Sequence, residues 1–247
     1  MAVDPMLKQA QRVWETLAAV PVSFPLVEDL NVVTSPASQL APPSWAGIVV
    51  LANSAIITAP TDRAVQVLRR VLARMPTSSL TSPEAVRAVL PVNEVLGPAV
   101  LGYVSRDGFR PAPTDRFVER LTPGHRDLMT LVKSVPPEDA GESGMDEITS
   151  AAFVVRKGAD VVAAAGFQAW PAAAAHLCVL TAPGERGRGL ARRVASAAVA
   201  QALDDGLLPQ WRARPMASRN VARALGFREL GSQLSLRLDQ EELRLKG

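Results

Sequence analysis

The stretch Thr181-Ala182-Pro183-Gly184-Glu185-Arg186-Gly187-Arg188-Gly189-Leu190-Ala191 restricts this chain more than any other. A short apolar segment, Leu177-Cys178-Val179-Leu180, runs into it, and a long helical pattern leaves it at Leu190. A strand entering a glycine-rich turn and then a helix gathers backbone N–H groups around one point, at the positive end of the helix dipole. Such a turn holds an anion, most often a phosphate or pyrophosphate.

The chain has 247 residues, enough for one large domain or two modest ones. With 48% apolar and 21% charged residues it reads as a folded protein rather than a disordered one. No apolar run reaches the roughly 18 residues of a membrane span, so no membrane partner is expected. Met1 to Ala10 lacks the apolar core of a secretory signal. A lone cysteine, Cys178, allows no intrachain disulfide, and a cytoplasmic location is the expectation. The net charge of +3 is small for a nucleic-acid binder, and none is expected as partner. Arg186, Arg188, Arg192 and Arg193 cluster beside the glycine turn, a local field suited to a phosphorylated small molecule. No metal site is expected.

Along the chain, Leu7 to Val20 reads as a helix and Pro21 to Pro43 as an extended or irregular crossing. Gly47–Leu51 and Ala55–Thr58 read as a hairpin, followed by helices starting at Thr61 or Asp62 and at Ser82. Val95 to Val104 reads as a strand, and the pattern breaks at Arg110-Pro111-Ala112-Pro113, where a domain boundary is expected. Beyond it come a helix opened near His125, a polar loop from Asp139 to Gly144, and a strand–turn–strand over 152–156 and 161–167. The strand 177–180, the helix 190–203, a strand 207–213, and a short helix 218–225 follow, with Ser218 as N-cap and Gly226 as stop. Ser232 to Leu238 alternates as a half-buried strand.

Two phosphate-binding readings fit poorly. A P-loop needs Lys-Ser/Thr after its last glycine, and Leu190-Ala191 stands there. A dinucleotide fingerprint needs a third glycine where Arg192 stands. By contrast, Arg186-x-x-Gly189-x-Ala191 resembles the (Gln/Arg)-x-x-Gly-x-(Gly/Ala) signature of the GNAT superfamily of acyl-CoA-dependent N-acetyltransferases. The downstream block from Ser218 to Phe227, ending in Leu225-Gly226-Phe227, is similar to the family's second block, and the resemblance covers roughly residues 115–238.

The resemblance implies acetyl-CoA as co-substrate. It implies that the strand before the signature and the strand after the long helix part, and that a pantetheine arm enters between them along Val179, Leu180 and Thr181. N–H groups from Arg186, Gly187, Arg188, Gly189, Leu190 and Ala191 would cradle the pyrophosphate, with charge added by Arg188 and Arg192. The N–H of Val179 or Leu180 would hold the thioester oxygen. The family's tyrosine, which protonates the leaving thiolate, falls on Ala222 here. Water or Ser218 takes its place, or the thiolate leaves without a proton, or transfer has been lost. No carboxylate stands in Ala173–His176 as general base, which leaves His176 as the candidate proton acceptor near neutral pH. Its simpler reading is a strand-edge histidine with an ordinary hydrogen bond. Cys178 reads as a small buried hydrophobe. Trp170 and Trp211 read as pocket lining or as packing. Asp139, Glu142, Asp146 and Glu147 read as an acidic field for an amine, or as a solvated loop.

The expected fold is α/β of the α+β type, a GNAT-like mixed, mostly antiparallel twisted sheet flanked by helices. A smaller N-terminal α/β unit (1–112), read also as a degenerate copy, precedes an acetyltransferase domain (113–247). The expected function is direct transfer of an acetyl group to a primary amine on a small molecule or peptide. The alternative is a catalytically silent acyl-CoA-binding protein. The reading admits a homodimer without fixing the oligomeric state.

Overall fold

Helix α1 (Pro5–Leu17) begins where proline fits a first helical turn and Asp4 accepts from the Met6 N–H at 3.0 Å. The computed structural model describes residues 4–26, 28–113, 118–239 and 241. Two units are formed, Met1–Leu101 with Glu229–Gly247, and Gly102–Arg228.

In the first unit the stretch expected as an irregular crossing contains a strand, β1 (Asp29–Thr34). Its prolines flank Val32 and Val33 rather than interrupt them, so the strand can pair, parallel to β3. β2 (Ala46–Leu51) and β3 (Ser54–Ala59) form the expected hairpin and are buried on both faces. Ile48, Val50 and Ile57 pack against Val65, Leu68 and Leu72 of α2 (Asp62–Leu72), while Val49 and Ile56 point to the other face and are equally buried. Thr61 caps α2 through the Ala64 N–H, and Ser82 caps α3 (Pro83–Val89) through the Ala85 N–H. β4 (Val92–Tyr103) follows.

The second unit starts its sheet with a short edge strand that the sequence reading missed, β5 (Val118–Leu121). α4 (Arg126–Ser134) has His125 as its N-cap, Nδ1 accepting from the Asp127 N–H at 3.2 Å. The supposed polar loop at 139–144 is a helix, α5 (Pro137–Ser143). Pro137 opens it, Glu138 and Asp139 complement the dipole of its first turn, and Gly144 ends it at φ 58°. β6 (Ala152–Lys157), β7 (Asp160–Trp170) and β8 (Ala174–Thr181) form an antiparallel meander, extended at the far edge by β5. α6 (Leu190–Asp204) then crosses to β9 (Leu208–Ala213), which pairs parallel to β8. α7 (Met216–Ala224) starts before Ser218, because Pro215 already occupies the cap position. Ser218 is therefore inside the first turn and is not the N-cap.

Strand alternation divides the core of this unit into two layers. Leu177 and Trp211 face α6 and α7, packing with Val194, Ala198 and Leu225. Cys178 and Leu180 face the other way, packing with Leu128 and Leu131 of α4. Alanine at 195, 198 and 202 lets α6 lie close to the sheet. The last strand, β10 (Arg228–Leu238), was read with the second domain but pairs antiparallel to β2 in the first unit, Leu234 opposite Ile48. The order in the first unit is β1-β3-β2-β10-β4, and in the second β9-β8-β7-β6-β5. The expected half-buried character of β10 does not hold. Gln233 and Ser235 on its polar face are also buried, and Gln233 Nε2 donates to Leu40 O at 2.5 Å.

Gly226 ends α7 at φ 92°, and an added Cβ would overlap the carbonyl oxygen of Gly108. Gly226→Ala is expected to cost about 2 kcal/mol or more in urea unfolding. Gly158→Ala, at φ 62° in open space, should cost about 1 kcal/mol.

Candidate functional site

β8 and β9 are paired at three positions only, Ala174 with Leu208, Ala175 with Pro209, and His176 with Gln210. Beyond that rung β8 continues to Thr181 and β9 to Ala213 without pairing to each other. The strands part, and a cavity of about 440 Å³ occupies the gap and the turn above it. Its wall combines β8, the start of α6, the end of β9, the first turn of α7, and Asp139, Glu142 and Ser143 of α5.

The turn at the mouth of α6 is built by glycine. Gly187 (φ 78°) and Gly189 (φ 77°) adopt left-handed backbone, and a Cβ on either would meet nothing within 4 Å. Gly189 is the N-cap and no side chain caps the helix, so its first N–H groups face the cavity side without a protein acceptor. The arginines around this mouth are not equivalent. Arg186 donates to Asp139 at 2.6 Å and to the carbonyl of Thr181 at 3.3 Å. Arg188 pairs with Glu185 at 3.0 Å, and Lys157 reaches the other oxygen of Glu185 at 2.7 Å. Lys157 first, and then the charge of Arg188, hold the Glu185 carboxyl below its usual range. Arg192 keeps a buried Nε without a hydrogen-bond partner, as Thr181 does its Oγ1, among the described residues. Buried donors of this kind are normally satisfied, so a polar ligand suits the spot.

Val179, Leu180, Thr181, Arg186, Gly187, Gly189, Leu190, Ala191, Arg192 and Ser218 all line this one cavity. Arg188 is turned aside to Glu185, and His176 sits below the cavity at the last rung. Ser218 Oγ accepts from Trp211 Nε1 at 3.0 Å, which leaves its own proton free to be donated. Trp211 both lines the cavity and packs in the core, edge-on to Phe227 with centroids 5.4 Å apart. Tyr103, the one tyrosine, is fully buried, and Ala222 is buried in α7. The acidic cluster is broken up. Asp139 is held by Arg186, and Glu142 by Arg214 at 3.1 Å. Two polar residues that sequence reasoning passed over, Gln210 and Arg212, stand on β9. Their signal was present as alternation: 210 and 212 are polar positions of one face in an otherwise apolar strand.

His176 is tied into the rung. Its Nδ1 lies 2.5 Å from Oε1 of the fully buried Gln210, and its ring stacks on Trp170 at 4.2 Å and 12°. The residue keeps some surface, but protein encloses most of its ring. Burial first, and then the charge of Arg212, push its pKa down to about 3, against an opposing pull from Gln210. The expected proton acceptor near neutral pH is thus a neutral, structural ring. Cys178 matches its reading as a buried hydrophobe, since burial pushes its thiol up to about 12. The depressed pKa of His176 has a consequence for stability. On acidification the unfolded chain protonates at 6.5 while the folded ring stays neutral, so its contribution is complete above pH 6.5 and is lost as pH falls toward 3. Urea unfolding should lose about 2–3 kcal/mol between pH 6.5 and 4.5 from this group. His176→Gln should flatten that part of the curve.

Comparison with known proteins gives the same picture. The family model for GNAT acetyltransferases matches residues 150–232, from the start of β6 through α7 into β10. No curated protein matches the chain. Among solved structures, an acetyltransferase of the GNAT family from Colwellia psychrerythraea is similar in fold over 97% of this chain and 98% of that one, at 11% identity and a TM-score of 0.51. A GNAT-family acetyltransferase from Novosphingobium aromaticivorans aligns with 59% of this chain at 23% identity and a TM-score of 0.48, and the alignment spans 65% of that protein. A GCN5-related N-acetyltransferase-like protein from Streptococcus suis aligns over 94% of this chain and all of its own, at 18% identity and a TM-score of 0.44. Residues 150–232, which contain the parted strands, the glycine turn and α7, are the part of this chain that matches the GNAT acetyltransferase family.

Proposed function

We propose that the second unit binds acetyl-CoA and transfers its acetyl group directly to a primary amine. The observation that carries this reading is the parting of β8 from β9 after the His176–Gln210 rung, below an uncapped helix mouth. The free edge of Val179, Leu180 and Thr181 pairs with the amides of a pantetheine arm as an added strand would. Gly187 and Gly189 allow close approach of a diphosphate, which the N–H groups of Leu190, Ala191 and Arg192 receive. The unpartnered Nε of Arg192 adds a charge-assisted bond there. Arg186 and Arg188, already in ion pairs, contribute field more than contact.

Acetyl-CoA supplies an activated thioester. The protein's part is positioning and proton management. An N–H of Val179 or Leu180 donates to the thioester oxygen and favours attack by the amine. Ser218, fixed by Trp211, gives a proton to the departing sulfur, and the proton shed by the amine passes to solvent. His176 takes no proton in this scheme and instead sets where the strands part.

A second reading, acyl-CoA binding without transfer, draws on Ala222 at the family's tyrosine position and on the neutral state of His176. Titration calorimetry with acetyl-CoA, followed by a free-thiol assay over a panel of amines, separates the two. Thiol release that depends on an amine supports transfer. Binding without release supports the silent binder, and no binding removes both. Gly187→Val with Gly189→Val is expected to raise the Kd for acetyl-CoA about 100-fold or more, the worth of two or more charge-assisted bonds. Arg192→Ala, which leaves the turn intact, should raise it about 10-fold. Unchanged affinity in both variants would refute the diphosphate assignment.

A further inference from the structure

We propose that α5 is a lid on the acceptor side of the gap, fastened across it by two exposed ion pairs, and that amines reach the thioester when those pairs part. The proposal rests on the transferase reading and adds to it how the site opens.

Alternation along β8 sets which side α5 guards. Val179 packs against the layer that contains α6, and Ala140 of α5 packs against the opposite layer, that of Cys178 and Leu180. The co-substrate is assigned to the α6 side, so the amine approaches from the side of α5. Asp139, Glu142 and Ser143 are the part of the cavity wall that α5 supplies.

Two fastenings hold the helix over the gap. Asp139 and Glu142 are three residues apart and share one helix face. Asp139 takes Arg186 at 2.6 Å, in the turn that follows β8. Glu142 takes Arg214 at 3.1 Å, just beyond the end of β9. β8 and β9 are the strands that part, so one pair is anchored on each side of the opening.

Little else secures the helix. Val135 and Met145 are buried and fix the chain at either end, yet no side chain from 136 to 144 is buried. α4, just before it, buries Leu128 and Leu131. No side chain caps the start of α5, and Gly144 ends it in left-handed backbone. A segment with core anchors at its ends and polar ties in its middle can open about those ends. The ties are weak enough to part. The four side chains are 35–51% exposed, and a pair so exposed shifts an equilibrium by only about 2–5-fold.

Two measurements test the lid. In hydrogen exchange on the full chain without ligand, the helical amides of residues 140–143 should be protected. Glu142→Gln and Arg214→Gln should each speed their exchange about 2–5-fold, while amides of α4 stay unchanged. The charge swap Glu142→Arg with Arg214→Glu should restore the original rate. In the free-thiol assay with acetyl-CoA and phenethylamine, putrescine, L-ornithine or glycylglycine, kcat/KM for the amine should rise by the same factor in both single variants, because entry follows the open fraction. It should return in the swap, and the Kd for acetyl-CoA should not change. The two single changes alter the local charge in opposite directions, so a field effect on a charged amine would raise one rate and lower the other. Amides 140–143 that are unprotected, or that ignore both changes, overturn the lid and leave the transferase reading standing. Amine kinetics that move in opposite directions, stay level or fall in both variants do the same. No thiol release with any of the four amines overturns the transferase reading, and the lid with it.

Discussion

The early end of pairing between β8 and β9 is the constraint from which the site follows. Two parallel strands in the middle of a sheet would ordinarily satisfy one another's backbone groups along their length. Here they do so for three positions and then separate, leaving free edges on both sides of the gap. The rung where they separate is closed by a part-buried side-chain pair, His176 with the buried Gln210, and Trp170 stacks on the His176 ring. The cost of free edges is lowest where a solvent-filled or ligand-filled cavity adjoins them, and that is where the cavity lies. A ligand rich in amides is suited to such edges, because it replaces the missing strand.

The same local sequence order occurs in both units with opposite outcomes. β3 runs through a short turn into α2, as β8 runs through the glycine turn into α6. In the first unit Thr61 accepts from the Ala64 N–H, and the Thr34 hydroxyl donates to Asp62 at 2.5 Å, so the helix mouth is occupied by the protein's own side chains. In the second unit Gly189 stands at the cap position and offers no side chain. Threonine at the α2 cap satisfies one of the free donors of that helix start, and glycine at the α6 cap leaves the corresponding donor to another acceptor. The start of α6 is thereby left open to the diphosphate proposed for it, and that of α2 is not.

The glycine turn and the α6 helix were legible in the sequence because local rules govern them: left-handed backbone demands glycine, and core-facing residues recur at helical spacing. The hairpin β2–β3 and the caps at Thr61 and Ser82 were legible for the same reason. What failed depended on partners distant in the chain. β1 hid among prolines because its strand identity comes from pairing with β3. α5 read as a loop because Glu138, Asp139 and Gly144 are also turn formers, and only the position of Pro137 distinguishes the cases. β10 could not be assigned to the first unit from its own alternation, since its partner β2 lies far upstream. At the site, the pKa of His176 was misjudged because the ring's enclosure and the nearby Arg212 are tertiary facts. Arg212 was passed over because an arginine on a strand is ordinary until the parting of β8 from β9 places it on the cavity wall.

The apportionment of charge gives the cavity its character. Its wall holds the acids Asp139, Glu142 and Glu185 and the bases Arg186, Arg192 and Arg212. Composition alone would make it neutral. Ion pairing removes Asp139 with Arg186, Glu142 with Arg214, and Glu185 with Lys157 and Arg188. Arg192 and Arg212 remain, one near the helix mouth and one near the closed rung. Thr181 Oγ1 and Gln210 Nε2 are buried without a hydrogen-bond partner among the described residues. Arginine rather than lysine at both positions matters, because a guanidinium stays charged when desolvated and presents a planar fork. Glu142 and Glu147 offset part of the charge of Arg212, while Arg192 keeps its Nε without a hydrogen-bond partner among the described residues.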